Sequence, residues 1–138
     1  MPVSFISGPA GLSQEAKGTL IRSVLHALVA AYQMPDDRVF ITEFPLTDTG
    51  HTGQEGMETF LVQSRPARPV CRIDAPPGLP LDQRRKLMQE ITDAIAQAYR
   101  ITDLRDVLIF LQEYPIALVA NNGYLQHENP AFASPATM

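Results

Sequence analysis

The sequence predicts an α/β (α+β) chain in which two tandem β-α-β units form one four-stranded mixed sheet with both helices on one face. Three observations lead there. Residues 2–32 repeat at 69–99, a shift of 67, with ten identities in 31 positions, and a fixed-period repeat is the first architectural signal to look for. Each copy reads as a β-prone run, a helical stripe and a second apolar run. The 138 residues, 45% hydrophobic and 19% charged, fit one domain, 1–138, with a core of modest size. Repeat one covers about 2–45, a connector 46–68, repeat two about 69–115, and a C-terminal arm 116–138.

The repeat is visible residue by residue. Pro2 falls on Pro69, Val3 on Val70, Ile6 on Ile73 and Pro9 on Pro76. Gly11-Leu12 falls on Gly78-Leu79, and Ala31-Tyr32 on Ala98-Tyr99. After a three-residue insertion, Glu43-Phe44-Pro45 matches Glu113-Tyr114-Pro115.

Val3 to Ser7 is the first predicted strand, punctuated by Gly8-Pro9-Ala10-Gly11. Ser13 suits a helix N-cap, with Glu15 in the first turn. Leu20, Val24, Ala27, Leu28 and Ala31 then form one helical stripe. Met34-Pro35 ends the helix, because the residue before proline avoids the helical region. Val39-Phe40-Ile41 is a continuous apolar strand, as a buried parallel pairing requires. In the second copy the strands are Val70–Asp74 and Val107–Leu111, and the stripe is Leu87, Ile91, Ala94, Ile95 and Ala98. The connector is turn-rich from Thr47 to Gly53, and Glu58–Val62 reads as a further short strand or hairpin arm. The tail from Glu128 is rich in Ala, Ser and Pro and reads as an arm on something else or as disordered. Two helices cover one sheet face, so the other needs burial, most economically by oligomerisation.

Charge and composition exclude several classes. Eleven Lys and Arg against fifteen Asp and Glu give −4, which argues against an electrostatic grip on nucleic acid. One cysteine, Cys71, excludes an intramolecular disulfide framework. No apolar run approaches about 18 residues, so no membrane span is expected. No basic stretch precedes an apolar one at the start, so no signal peptide is expected either, and the default location is cytoplasmic. There is no His-x-His or Glu-x-x-His spacing for a metal, and Gly8–Gly11 lacks the ending of a phosphate loop.

Pro2 is the strongest chemical feature. Removal of Met1 before this small residue would leave a prolyl secondary amine. An α-amino group titrates near ~7.7–8.0, and burial or nearby cations lower that value, so the neutral amine can act as a general base near neutral pH. Arg72 interrupts an apolar strand, where a charge is costly unless paired; a pocket ligand and a structural ion pair are both open. Cys71 reads as a small core residue, Tyr32 and Tyr99 as packing residues. His26 lies opposite the helix stripe, His51 in a loop and His127 near the tail.

The segments Met1-Pro2-Val3, Gly11, Leu20-Ile21-Arg22, Arg38-Val39-Phe40-Ile41-Thr42-Glu43 and Gly50-His51-Thr52-Gly53 together resemble the tautomerase superfamily, founded by 4-oxalocrotonate tautomerase. Glu113–Leu125 looks like the corresponding stretch of the cis-3-chloroacrylic acid dehalogenase branch. Pro35-Asp36-Asp37-Arg38 looks like the aspartate segment of malonate semialdehyde decarboxylase. The resemblance covers about 2–53, and the repeat extends it to about 125.

What the resemblance implies is a tautomerase-like fold, a homotrimer, no cofactor, and an isomerase acting on a small 2-oxo or enol carboxylic acid. Pro2 falls on the catalytic proline, Arg38 on the arginine that polarises the substrate's carbonyl or carboxylate, and Asp37 on the decarboxylase's aspartate. Asn121 falls on the dehalogenase's glutamate and, with Arg72, is the candidate substrate-binding pair. Arg65 and Arg68 have the spacing of the dehalogenase's paired arginines and matter only if Glu58–Val62 is the equivalent strand. The chain departs from the pattern at several positions. Leu12 and Leu79 stand where the tautomerase has an arginine before the helix, and Thr52 where it has an aromatic. Leu28 replaces a dehalogenase histidine and Phe110 a tyrosine. Two alternatives follow: hydration-type dehalogenation or decarboxylation with protonated Pro2 as acid and Asp37 activating water, or a non-catalytic trimeric binding protein.

Overall fold

The computed structural model describes residues 2–34, 37–45, 49–50, 65–66 and 68–130, with the backbone alone for 49–50 and 65–66. In chain order the elements are β1 (Val3–Pro9), α1 (Gln14–Tyr32), β2 (Arg38–Phe44), β3 (Thr49–Gly50), β4 (Arg65–Pro66), β5 (Val70–Ala75), α2 (Leu81–Tyr99), β6 (Leu108–Glu113), β7 (Ala120–Asn121) and β8 (Tyr124–Leu125). Single 3₁₀ turns lie at Leu104–Asp106, Ile116–Leu118 and Gln126–Glu128.

The main sheet has the order β2-β1-β5-β6. β1 pairs parallel with β2, and β5 with β6; the two halves join through the antiparallel pair β1–β5. Each half is thus a right-sized β-α-β unit, since parallel neighbours need a long crossover and a helix supplies it. Both first strands lie at the centre and both second strands at the edges. β1 and β2 run beyond their apolar cores, because backbone pairing continues through Gly8 opposite Glu43 and Pro9 opposite Phe44.

Strand alternation assigns the two faces. Ser4 and Ile6 of β1 and Cys71, Ile73 and Ala75 of β5 are buried under the helices. Leu20, Val24, Ala27 and Leu28 of α1 and Leu87, Ile91 and Ile95 of α2 complete that core. The predicted stripes are therefore the buried faces. Ser4 Oγ and Cys71 Sγ occupy equivalent repeat positions and meet at 3.2 Å in the middle of this layer. Burial pushes the Cys71 thiol up to about 11, the Ser4 hydrogen bond acting in the opposite direction.

The helix ends follow local chemistry. Ser13 Oγ accepts from the Ala16 N–H at 3.0 Å, satisfying one orphan donor of the first turn. Tyr32 is the last helical residue of α1; Gln33 turns into the left-handed region at φ 52° and its N–H bonds the Val29 carbonyl at 2.9 Å. Met34 and Pro35 thus follow the cap rather than forming it. α2 starts after Pro80 with no side-chain cap and ends at Arg100, φ 55°.

The last residue of each helix reaches the other repeat's half of the sheet. Tyr99 of α2 lies directly against Gly8 of β1, so close that a Cβ on Gly8 would overlap the ring. Burial and the nearby Glu43 carboxylate push the Tyr99 phenol up to about 12. Tyr32 of α1 is raised likewise, by burial and then by Glu113, with Arg84 opposing. Among the described residues no helix is long and apolar enough to cross a membrane.

Candidate active site

Of the candidate residues, Pro2, Asp37 and Arg38 gather at the end of the sheet where β1 begins. Pro2 and its repeat counterpart Pro69 both have fully buried rings. Pro2 is joined to Met1 in the sequence, so the two would differ in covalent chemistry only once Met1 is removed. The Pro69 nitrogen is an amide inside the chain, joined to Arg68, and has no basicity to offer. The arginine differs between copies as well: the residue equivalent to Arg38 across the insertion is Leu108. With Met1 removed, Pro2 rather than Pro69 would set a free amine at the start of a strand that pairs with Arg38.

β2 brings its first residues to Pro2. Val3 pairs with Arg38, and the Arg38 N–H donates to the Pro2 carbonyl at 3.3 Å. Continuing that register by one residue sets Asp37 beside Pro2. Both Asp37 carboxylate oxygens are shielded from solvent, whereas Arg38 is exposed. By alternation Arg38 shares the bare face with Val3. On the other side Val3 pairs with Asp74 of β5.

Arg72 lies on the same bare face, one step further along β5. Its Nε is 3.4 Å from Asp74 Oδ1 and its Nη2 donates to Asp74 Oδ2 at 3.4 Å. Its guanidinium carbon stands 4.7 Å from the centroid of the Phe5 ring, a favourable cation–π placement. Phe5 in turn stacks on Phe40, centroids 5.5 Å apart. The strand registers align Phe40, Phe5, Arg72 and Phe110 in one row across all four strands. Of the two readings open for Arg72, the ion pair is present. The signal was available in the sequence: residues i and i+2 of a strand share a face, which places Asp74 beside Arg72.

The chain after β6 folds back over this end of the bare face and lines one side of an open pocket of about 270 Å³. Val3, Phe5, Asp74, Ala75 and Pro76 form the floor, and the arm supplies residues such as Leu118 and Gln126. Ala75 is the residue across from Pro2 when the β1–β5 register is continued by one. Asn121 sits on β7, its carbonyl accepting from Asn129 Nδ2 at 3.4 Å, and is not a lining residue. Arg68 pairs with Asp106 at 3.3 Å instead of facing the pocket. The side chain of Arg65, together with His51 and Glu58–Val62, lies outside the described residues. The arm's contribution was not legible in the sequence, because it depends on where residues 114–126 return.

Comparison with solved structures places this arrangement among known folds. A wild-type fused 4-OT asymmetric trimer superposes with a TM-score of 0.74 at 22% identity, covering 91% of this chain and 96% of that one. The chain has the tautomerase-superfamily fold. A member of the cis-3-chloroacrylic acid dehalogenase family matches with a TM-score of 0.71 at 16% identity, over 90% of this chain and 82% of that chain. A malonate semialdehyde decarboxylase inhibited by 3-bromopropiolate matches with 0.71 at 19% identity, over 96% and 99%. No protein-family model matches the sequence, and no curated protein matches it significantly. The tautomerase-superfamily likeness is therefore one of fold, carried by the strand order and the two helices on one sheet face.

Proposed function

We propose that this chain is a tautomerase acting on a small 2-oxo or enol carboxylic acid, with Pro2 as general base once Met1 is removed. The observation that carries this reading is the position of Pro2: buried at the head of a central strand, with the Arg38 backbone N–H donating to its carbonyl and a pocket beginning at its next residue. A neutral secondary amine there takes the proton from an enol hydroxyl and returns it to carbon. Arg38 holds the carboxylate and balances charge developing on the oxygen. Arg72 and Asn121 are secondary candidates for substrate contact.

One observation favours a second reading. Asp37 stands beside Pro2 in the strand register, which suits a water-activating carboxylate next to a protonated proline, and hence hydration-type dehalogenation or decarboxylation. We further propose a homotrimer, supported by the exposed Phe40, Val70, Leu108 and Phe110 on the bare face and by the trimers formed by fused 4-OT relatives in fold.

Intact mass spectrometry and an enol-ketonisation assay test the assignment together. Protein lacking Met1 should ketonise phenylenolpyruvate or 2-hydroxymuconate, and Pro2→Ala should lose most of that rate. Full activity in Pro2→Ala, or none in protein with a free Pro2, rejects it.

A further inference from the structure

We infer that Asp74 is a positioning residue for the proposed chemistry: with Phe5 it holds the Arg72 guanidinium at the rim of the pocket, leaving the Nη1 edge free to take a carboxylate of the substrate. This rests on the reading of Pro2 above and deepens it by building a second anion contact beside Arg38. Arg72 Nη2 donates to Asp74 Oδ2 at 3.4 Å, and Arg72 Nε stands 3.4 Å from Asp74 Oδ1. The guanidinium carbon lies 4.7 Å from the Phe5 ring centroid. A guanidinium carries five N–H donors in a fixed planar fork. One carboxylate along the Nε–Nη2 side leaves both Nη1 hydrogens and one on Nη2, enough to take a second carboxylate end-on. Among the described residues Arg72 Nη1 has no hydrogen-bond or ion-pair partner.

The rim position follows from the strands. Arg72 faces Phe5 across the β1–β5 pair, and Asp74, two residues on, shares that face and sits opposite Val3. Val3, Phe5 and Asp74 line the pocket while Arg72 does not, so its contacts with Phe5 and Asp74 set it at the mouth. The Arg72 side chain is 49% exposed and open to a ligand, whereas Asp74 Oδ1 is shielded from solvent. Asp74 therefore acts through Arg72. No lining residue is cationic, and Ala75, Pro76, Ile116 and Leu118 are apolar. The acid group of a bound substrate thus stays at the mouth, and its carbon skeleton points toward Ala75 and Pro2. A long side chain that is already oriented loses less freedom on binding. Exclusion of bulk water by neighbouring copies would strengthen a charge-assisted contact at this edge, so the role is compatible with the proposed trimer. The first repeat has Phe5 and Ser7 at the equivalent positions, so the pair is built in one copy alone.

Equilibrium binding of an unreactive acid separates this inference from the catalytic one. The probes are 3-phenylpropanoate and its methyl ester, titrated calorimetrically into the intact protein at concentrations where sedimentation shows every variant in the same assembly state. The acid should bind at least roughly tenfold tighter than the ester, as a charge-assisted hydrogen bond provides, and Arg72→Met should abolish that preference. Arg72→Lys keeps the charge opposite Asp74 without the planar fork and should weaken the acid roughly tenfold. Asp74→Ala should weaken it by a similar factor, roughly tenfold, by freeing the Arg72 side chain. Asp74→Asn keeps an acceptor for Arg72 without the charge and should restore affinity to within about threefold of the unaltered protein. Were Asp74 only a counter-charge, both of its substitutions would tighten acid binding, and that result overturns the inference. Undiminished acid binding in Asp74→Ala or in Arg72→Lys overturns it as well, as does an acid-to-ester preference that is absent or that survives Arg72→Met. Should the probes behave as expected while no enol is turned over, the Pro2 chemistry fails and the positioning role of Asp74 stands.

Discussion

Phe5 and Arg72 occupy the same position of the two repeats and face each other directly across the central strands, the Arg72 guanidinium carbon 4.7 Å from the Phe5 ring centroid. The registers on either side of this pair are related by the repeat: Val3 opposite Asp74 becomes Ser7 opposite Val70. The local twofold of the sheet therefore passes through an aromatic ring on one side and a guanidinium on the other. Val3 and Ile6 match Val70 and Ile73 in the two copies, while a charged residue replaces a neutral one at Phe5/Arg72 and again at Ser7/Asp74. Asp74 then decides how costly that cation is on an otherwise apolar face.

The Arg72–Asp74 pair predicts a specific effect on assembly. In a lone chain it is partly exposed, 49% and 22% by side chain, and such a pair contributes about 0–1 kcal/mol. In the proposed trimer it would be desolvated, and removing one partner would then cost about 3–5 kcal/mol. Asp74→Asn should weaken the trimer at least roughly tenfold in sedimentation equilibrium, while the double variant Arg72→Met with Asp74→Asn should recover most of the loss. Unchanged association of Asp74→Asn would mean that this face stays in water.

Pro2 and Arg38 should separate in steady-state kinetics. Pro2→Ala keeps an amine but frees the chain start, and turnover should fall by roughly 10²-fold, the lower end of what a positioned acid–base group supplies. Arg38→Ala should act mainly through KM, with a smaller loss in kcat as the developing oxyanion loses its partner. A loss confined to kcat in Arg38→Ala would reassign that residue from carboxylate binding to the chemical step.

Cys71 predicts an alkaline limit to stability. Its thiol is raised from 9.0 to about 11 in the folded chain, chiefly by burial. The group stays neutral when folded but ionises first in the unfolded chain, so its contribution is fully present below about 9. It is lost as pH rises from there to about 11, and amounts to roughly 3 kcal/mol. Denaturant midpoints measured between pH 8 and 11, conditions chosen to span that window, should fall more steeply in the unaltered protein than in Cys71→Ala. In the same preparation Ellman's reagent should react only after unfolding; prompt reaction of the native thiol would contradict the buried Ser4–Cys71 contact.

The sequence by itself determined the two helices, the four strands of the main sheet, the repeat and the inner face of each helix. Leu20, Val24 and Leu28, and again Leu87, Ile91 and Ile95, announce their burial through spacing alone, because helix period and side-chain hydrophobicity act within a few residues. Ser13 announced the start of α1 for the same local reason. Pro2, Asp37 and Arg38 were legible as candidates, and their adjacency follows once β1 and β2 are known to be parallel. Only the tertiary structure decided what Arg72 touches, that Tyr99 presses on Gly8, and that Gln126 lines a pocket which Asn121 does not. Each of those contacts joins residues distant in the chain, and each is settled by strand register and by the path of the arm across the sheet. Periodicity and capping carry no information about either, since both are set by the hydrogen-bond ladder and by packing that exists only once the two repeats have come together.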